Sequence, residues 1–140
     1  MNADGSNKAQ LTNTSSIDHA PRWSPDGRKI AFGRCDANFV CDIYTMNPDG
    51  SSQTNITASN TNDDDAPLWT PDSERIVYTG QNTPNDYNVF ISDADGNNRH
   101  LLTNAVSPQN YQALAVSPDG SRVGMILRAG GGGSFEVATV

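Results

Sequence analysis

The apolar residues of the chain lie in short runs separated by polar clusters. Runs such as IAF at 30–32, IVY at 76–78 and NVF at 88–90 are rich in β-branched and aromatic residues, which β-strands favour. The clusters between them consist of Asn, Ser, Thr, Gly and Asp, which form turns. Apolar positions at the spacing of an amphipathic helix occur over no useful length. The pattern predicts an all-β protein of many short strands.

Four blocks of this pattern recur in the same order at intervals of 45 to 48 residues. The clearest block reads APRWSPDG at 20–27, APLWTPDS at 66–73 and ALAVSPDG at 113–120. Such periodicity is typical of repeat architectures. We therefore divide a single domain, 1–140, into three units. They cover about 12–57, 58–103 and 104–140, with 1–11 as a closing strand.

Each unit is predicted to contain four strands, A to D. In the first unit they lie near 21–24, 29–33, 42–46 and 53–57. Strands A and B are joined by Ser-Pro-Asp-Gly, in which Pro fixes φ and Gly accepts a positive φ. Strands C and D are joined by Asn-Pro-Asp-Gly or Ala-Asp-Gly, which favour hairpins. Each unit is therefore predicted to be a small antiparallel sheet.

These motifs resemble the WD40-like PD40 repeat, the blade of TolB-type propellers and of the propellers in the prolyl oligopeptidase and tricorn group. The resemblance covers nearly the whole chain. The third unit departs from it, because Leu114 and Val116 stand where Pro and Trp are expected. The resemblance implies an all-β fold, a β-propeller of which this chain supplies three four-stranded blades.

The repeat begins inside a C–D turn and stops on a strand C, so the two chain ends together supply one blade. Propellers close with about four to eight blades. One interpretation is therefore a half-propeller or a fragment of a longer protein. The other, which we favour for this chain, is a strand-exchanged two-fold homodimer. In it each N-terminal strand completes the last blade of the other copy, giving six blades.

Strand direction alternates, so the long B–C and D–A connections should share one face of the propeller, where binding residues concentrate. The candidate binding residues on this face are Asp18, His19, Arg34, Phe39, Asp65, Tyr87, Tyr111 and Gln112. Their aromatic side chains could equally pack loop against loop. The tract Gly130 to Gly133 falls in the last B–C connection, as a flexible loop or as the linker of an engineered or truncated protein.

Several acidic and aromatic residues have structural interpretations. Asp63, Asp64 and Asp65 could offer oxygen ligands to Ca²⁺, but their spacing does not match an EF-hand, and we favour a solvated acidic loop. The aspartates that recur in turns are interpreted as structural, and these are Asp26, Asp49, Asp72, Asp95 and Asp119. Trp23 and Trp69 are predicted to lie in the blade core.

Little in the sequence indicates catalysis or a cofactor. His19 and His100 have no Cys, His or Glu at metal-ligand spacing, so no zinc or other metal site is predicted. No Gly-x-Ser-x-Gly elbow supports a serine nucleophile. Cys35 and Cys41 fall on opposite limbs of one B–C connection, and we predict a disulfide between them, with two free thiols of a cytosolic protein as the alternative.

Charge and hydropathy limit the partners. The net charge of -7 argues against nucleic acid, whose phosphates require Lys and Arg. No apolar run approaches the roughly 20 residues of a membrane span, and no signal peptide is present in this chain. With the disulfide, this favours a periplasmic or extracellular location, the targeting segment having been removed.

The sequence therefore predicts a non-catalytic protein-interaction or scaffold module that assembles with another propeller segment. The closest alternative is the propeller portion of an enzyme, such as a prolyl-oligopeptidase-like hydrolase or a propeller lyase. A third is a purely structural element whose open edges pair between chains.

Overall fold

The computed structural model describes residues 4–58, 63–83, 86–104, 110–128 and 135–139. These residues form eleven β-strands, listed here in chain order: β1 (Ile17–Trp23), β2 (Ile30–Cys35), β3 (Cys41–Met46), β4 (Thr54–Asn55), β5 (Asp64–Trp69), β6 (Arg75–Thr83), β7 (Asp86–Asp93), β8 (His100–Leu101), β9 (Asn110–Val116), β10 (Val123–Arg128) and β11 (Phe135–Thr139). No helix occurs among them, and so none that is long and apolar enough to cross a membrane.

The strands form three antiparallel sheets with the spatial orders β1-β2-β3-β4, β5-β6-β7-β8 and β9-β10-β11. We call these sheets blades 1, 2 and 3. The prediction of an all-β propeller fold is confirmed. Strand D is shorter than predicted. Its counterparts β4 and β8 each contain only two residues. The glycine tract at 130–133 lies outside the residues that the structure describes.

The A–B turns owe their shape to the Asp that follows Pro. Ser24 Oγ donates a hydrogen bond of 2.6 Å to Asp26, whose carboxylate also accepts the Arg28 N–H, and these bonds lower the pKa of Asp26. Gly27 closes the turn at a φ of 72°. The turns at Asp72 and Asp119 repeat the bonding, as Asp49 and Asp95 accept bonds in the C–D turns. Their structural role is confirmed.

Strand A carries a β-bulge at its Ala-Pro dipeptide. The pairing of β1 with β2 shifts between His19 and Arg22, and Ala20 has a φ of 49°. The same shift follows Asp65 in β5, where Ala66 has a φ of 56°. A bulge re-aims the residues beside it. Because it keeps Pro out of the regular ladder, strand A continues past Pro toward the N-terminus, beyond its predicted start.

Apolar side chains pack between consecutive blades. Ala31 and Ile43 of blade 1 meet Ile76 and Tyr78 of blade 2, while the opposite face of blade 2 packs on blade 3 through a second cluster around Met125. The blades are therefore layers of a continuous core. Blade 2 is apolar on both faces, and each of these faces is covered by a neighbouring blade.

Trp23 and Trp69 occupy equivalent positions but differ in burial. Trp69 is 8% exposed and donates a 3.0 Å hydrogen bond from Nε1 to the Arg22 carbonyl of blade 1. Trp23 is 59% exposed, so its predicted place in the blade core is wrong. The physical reason is that a tryptophan at this position packs on the preceding blade rather than inside its own, as Trp69 does on blade 1, and no described residues form a blade on that side of Trp23.

The N-terminal segment lies against blade 1. Leu11 packs on Ile30, Phe32 and Met46, and its carbonyl would meet a Cβ at Gly50, as the Ile56 carbonyl would meet one at Gly96. Leu11 therefore occupies the same position relative to blade 1 as Ile56, the residue directly after β4, occupies relative to blade 2. The segment takes the position of the strand D of a preceding blade.

Candidate functional site

The structure places most of the candidate binding residues on strands. They are distributed as follows: Asp18 and His19 on β1, Arg34 on β2, Phe39 in the β2–β3 loop, Asp65 on β5, Tyr87 on β7, and Tyr111 and Gln112 on β9. The predicted loop placement is wrong for all but Phe39, because the bulge lets strand A begin earlier and strands B and C extend further. Their role in binding stays a prediction.

Four of the candidates come together in a groove where blades 2 and 3 meet. Its volume is about 280 Å³. The candidates that line it are Asp65, Tyr87, Tyr111 and Gln112. Asp63, which the sequence places in the same acidic run, also lines it, and the lining residues that the sequence analysis missed are Ala66, Thr79, Asn110 and Arg128. Ala66 and Thr79 lie within β5 and β6, whereas Asn110 and Arg128 lie at the ends of β9 and β10. The proximity of these residues depends on how adjacent blades pack.

Tyr87 lines this groove and is held in place by two hydrogen bonds. Its hydroxyl donates a 3.0 Å hydrogen bond to Oδ2 of Asp63, and its backbone N–H donates to Oδ1 of Asn110 at 2.8 Å. Burial is the main cause that raises the pKa of Tyr87, so the hydroxyl remains a neutral donor at neutral pH. Tyr87 thus connects blade 2 to blade 3 and fixes the width of the groove.

Both signs of charge meet at the groove. The carboxylates of Asp63 and Asp65 lie on its blade 2 side, and Arg128 of blade 3 lies within 3.5 Å of the Gln112 side-chain oxygen. Tyr111 adds an aromatic ring. Aromatic residues beside charges are common in protein interfaces, and this arrangement suits a polar peptide segment with hydrogen-bonding groups of both kinds.

The acidic run at 63–65 has three separate environments. Asp63 accepts a 3.1 Å hydrogen bond from the Cys41 N–H of blade 1, and Asp65 faces His19. Asp64 is fully buried, and this desolvation raises its pKa to about 6. The solvated-loop interpretation is therefore wrong for Asp64. Among the described residues the three carboxylates do not converge as a group of metal ligands.

Arg34 and Asp18 bind each other. Nε and Nη2 of Arg34 donate to the two carboxylate oxygens of Asp18 at 2.6 and 2.9 Å. The guanidinium also lies over the rings of Phe32 and Tyr44, at 5.1 and 4.8 Å from their centroids. Hydrogen bonds from Arg34 lower the pKa of Asp18. The pair is therefore largely engaged inside blade 1.

A disulfide joins Cys35 and Cys41, which lie directly opposite each other on β2 and β3. Nε2 of His19 lies 3.1 Å from the Cys35 sulfur, and Nδ1 lies 3.4 Å from Oδ1 of Asp65. Among the described residues, His19 and the two cysteines form a group whose potential metal-ligand atoms all lie within 4.8 Å of one another. Sequence spacing could not reveal this group, because sheet pairing assembles it.

A second cavity, of about 510 Å³, lies on the outer flank of blade 1. Its lining includes Leu11, Trp23, Ile30, Phe32 and Met46, together with Asp18 and His19 near one end. The apolar members of this lining are the side chains that, in blade 2, are covered by blade 1. We call this surface the open flank.

Packed four-stranded antiparallel blades with an apolar open flank define the molecule as a segment of a β-propeller. The pattern of the TolB beta propeller domain, PD40, matches residues 1–139. The chain belongs to this family.

Solved structures show the same fold at low sequence identity. Putative TolB from Agrobacterium tumefaciens is 24% identical with a TM-score of 0.68, covering 85% of this chain and 41% of its own. TolB from Acinetobacter baumannii is 20% identical with a TM-score of 0.77, covering 98% and 33%. A puromycin-hydrolyzing peptidase of Mycobacterium tuberculosis is 16% identical with a TM-score of 0.73, covering 94% and 21%. The chain thus spans less than half of each. No curated protein matches the chain.

Proposed function

We propose that this chain is a non-catalytic propeller module that binds another propeller segment, in the simplest case a second copy of itself, and acts as a scaffold for protein partners. The observation that carries the proposal is the open flank. Trp23 is 59% exposed there, whereas its equivalent Trp69 is 8% exposed because a blade covers it. An uncovered apolar surface of this kind favours association.

The position of the N-terminal segment supports the same proposal. It lies where the strand D of a preceding blade would lie, and blade 3 shows three strands among the described residues. In a two-fold dimer, blade 3 of one copy would cover the open flank of the other. Each N-terminal segment would then pair with the partner's β11, and both uncovered surfaces would be buried at once.

Association is measured by light scattering or sedimentation of the 15.0 kDa chain. We expect the mass of a dimer for the wild-type protein and of a monomer for Trp23→Glu, because a carboxylate cannot be buried against Phe32 and Met46. The control is Phe39→Glu. Phe39 is 71% exposed in the β2–β3 loop and away from the open flank, so this variant should remain a dimer. A monomeric wild-type protein would contradict the proposal.

The Cys35–Cys41 disulfide supports a periplasmic or extracellular location, since disulfides persist in oxidising compartments.

The groove between blades 2 and 3 is the proposed binding surface for other proteins. Tyr111→Ala should weaken capture of a partner without changing the dimer mass. Capture that is equal for the variant and the wild-type protein would assign partner binding to another surface.

A second candidate function is the propeller portion of a larger peptidase. The observation in its favour is the fold shared with the puromycin-hydrolyzing peptidase. In this chain, His19 faces a sulfur and a carboxylate rather than a serine hydroxyl. The full gene that encodes this chain distinguishes the two functions. A hydrolase domain with a serine nucleophile beside the propeller segment would favour the peptidase interpretation, whereas a gene without one would favour the scaffold.

A further inference from the structure

The group formed by His19, Cys35 and Cys41 has the composition of a metal site, although the two sulfurs are joined. We propose that reduction of the disulfide converts these three side chains into a zinc site, with Asp65 orienting the histidine. Thiolate sulfur and imidazole nitrogen are the ligands that Zn²⁺ prefers. The proposal does not depend on dimer formation.

The distances suit this ion after a small rearrangement. Nε2 of His19 is 3.1 Å from the Cys35 sulfur, and all three ligand atoms lie within 4.8 Å of one another. Zn–S bonds of about 2.3 Å at tetrahedral angles hold two sulfurs about 3.7 Å apart. Once the S–S bond is broken, rotation of the two cysteine side chains provides this separation, so the backbone can stay in place.

Asp65 defines which imidazole nitrogen faces the sulfurs. Its Oδ1 lies 3.4 Å from Nδ1 of His19, on the side of the ring opposite to Nε2. A carboxylate that accepts the Nδ1 proton leaves Nε2 with a free lone pair, and metal-binding histidines usually have such a partner. Asp65 therefore acts as a positioning residue from blade 2 for a ligand of blade 1.

The surroundings of His19 leave space for this arrangement. A Cβ at Gly33 would lie 2.6 Å from Cε1 and 2.9 Å from Nε2 of His19, so the ring rests on a position that only glycine leaves open. In blade 2 the residues equivalent to His19, Gly33, Cys35 and Cys41 are Asp65, Thr79, Gln81 and Tyr87. The propeller fold itself does not require the blade 1 set.

The loop between the cysteines has hydrogen bonds of its own in addition to the disulfide. Asp36 Oδ1 accepts hydrogen bonds from the N–H groups of Asn38 and Val40 at 2.8 and 2.9 Å. Asp36 and Val40 are also joined by a backbone bond of 2.9 Å. After reduction these bonds still hold β2 and β3 together, and both thiols remain near His19.

The chemistry balances with a dithiol reductant. The dithiol cleaves the S–S bond by exchange, becomes a disulfide itself, and leaves thiols on Cys35 and Cys41. Binding of Zn²⁺ then displaces one proton from each thiol. Three protein ligands leave the fourth tetrahedral position to water. The oxidised chain offers no thiolate, so this site exists only under reducing conditions.

The test uses the whole chain, reduced with dithiothreitol, desalted without oxygen, and titrated with Zn²⁺ against a chromophoric zinc chelator. We expect one Zn²⁺ per reduced chain and none per oxidised chain. Co²⁺ should give a thiolate-to-cobalt charge-transfer band and the visible bands of a tetrahedral site. If His19 had only a structural role, replacing it would leave these cobalt spectra unchanged.

Three variants decide the assignment of ligands. His19→Ala should lose the tight binding, and Asp65→Asn, at an exposed position, should weaken it about 10- to 100-fold. The matched control is His100→Ala, which removes the other histidine, exposed on β8, and should bind as the wild-type protein does. Circular dichroism of each reduced variant verifies the fold.

The proposal is overturned if the reduced wild-type chain binds no Zn²⁺, or if reduced His19→Ala binds as tightly as the wild-type chain. Equal binding by the oxidised and reduced chains would also overturn it. Because Asp65→Asn removes no ligand, its weaker binding with unchanged cobalt spectra supports the positioning role.

Discussion

Asp18 in blade 1 and Asp64 in blade 2 occupy the same position on strand A, but their partners differ. Asp18 pairs with Arg34 of the adjacent strand, which donates two short hydrogen bonds to it. The residue opposite Asp64 is Gly80, which has no side chain to offer. A Cβ at Gly80 would overlap the Asp64 carboxylate, so the glycine makes room for this buried acid.

In blade 2 the arginine near the acid comes from a different position in the blade. Arg99, just before β8, places its guanidinium 4.0 Å from the Phe90 ring centroid and 5.8 Å from that of Tyr78. These rings are the equivalents of Tyr44 and Phe32, over which Arg34 lies in blade 1. Arg99 approaches Asp64 to only 3.6 Å. Both blades thus place an arginine over the same pair of rings, but from different positions in the blade. Only in blade 1 does the arginine also donate two short hydrogen bonds to the acid.

This difference determines the ionisation of the two acids. Hydrogen bonds from Arg34 lower the pKa of Asp18, whereas desolvation raises the pKa of Asp64 to about 6 against the attraction of Arg99. Equivalent positions in a repeat therefore need not share electrostatics. The direction of the pKa shift depends on whether a short charge-assisted contact offsets the cost of burial.

The most damaging single change is predicted to be Arg34→Met. It leaves Asp18 largely buried without its cation, and breaking such a pair costs about 3–5 kcal/mol of unfolding free energy. Arg99→Met should cost about 1 kcal/mol, because its contact to Asp64 is long and the side chain is partly exposed. Urea unfolding at neutral pH without a reductant, so that the disulfide stays intact, measures both losses. Equal losses would show that the two arginines are equivalent after all.

The two acids should give opposite pH dependence. Because the pKa of Asp64 is about 6 in the folded chain and 3.8 in the unfolded reference, the folded state binds the extra proton between these values. Its contribution to stability therefore falls as the pH rises from about 4 to about 6, by on the order of 2–3 kcal/mol. Asp18, with a lowered pKa, contributes stability that is present above about pH 4 and lost as the pH falls through its folded pKa.

Unfolding of Asp64→Asn and Asp18→Asn from pH 4 to pH 7 separates these effects. Relative to the wild-type protein, Asp64→Asn should remove the decline between pH 4 and 6. Asp18→Asn, as the matched variant, should retain that decline and lose a nearly constant amount of stability across this range, because the contribution of Asp18 is present above about pH 4. A wild-type decline that survives in Asp64→Asn would assign it to another group.

The smallest effect is expected for Arg99→Lys. Lysine keeps the charge near Asp64 but loses the planar stacking on Phe90 and Tyr78, and we expect a cost of about 0.5 kcal/mol. Comparison with Arg99→Met divides the role of Arg99 between charge and stacking. If Arg99→Lys matches Arg99→Met within error, the attraction to Asp64 contributes nothing measurable to stability.

The repeat made much of the fold predictable. The turn residues follow from Pro, Asp and Gly at fixed positions, and the strands from the runs around Phe32 and Tyr78. The start of strand A was not predictable, since Pro21 suggested a boundary and a bulge instead absorbs it. The exposure of Trp23 also lies beyond sequence pattern, because it depends on whether another blade precedes it.

The candidate site was harder to predict than the fold. The sequence predicts Tyr87, Tyr111 and Gln112 as loop residues, yet it is the packing of blade 2 on blade 3 that gathers them in one groove. The sequence also predicts Arg34 as a binding residue, because its pairing with Asp18 depends on strand register. The approach of His19 to Cys35 depends on the same register together with the bulge, neither of which leaves a signal in linear spacing.

The hydrogen bond from Trp69 to the Arg22 carbonyl gives the row of blades a direction. Blade 2 rests its tryptophan on the backbone of blade 1, so a gene duplication that adds one whole repeat of this kind in register buries one more tryptophan and regenerates the same first face. A duplication of part of a repeat would separate the tryptophan from that carbonyl. Growth by whole repeats of this kind therefore preserves the contact between blades, wherever in the repeat the duplication begins.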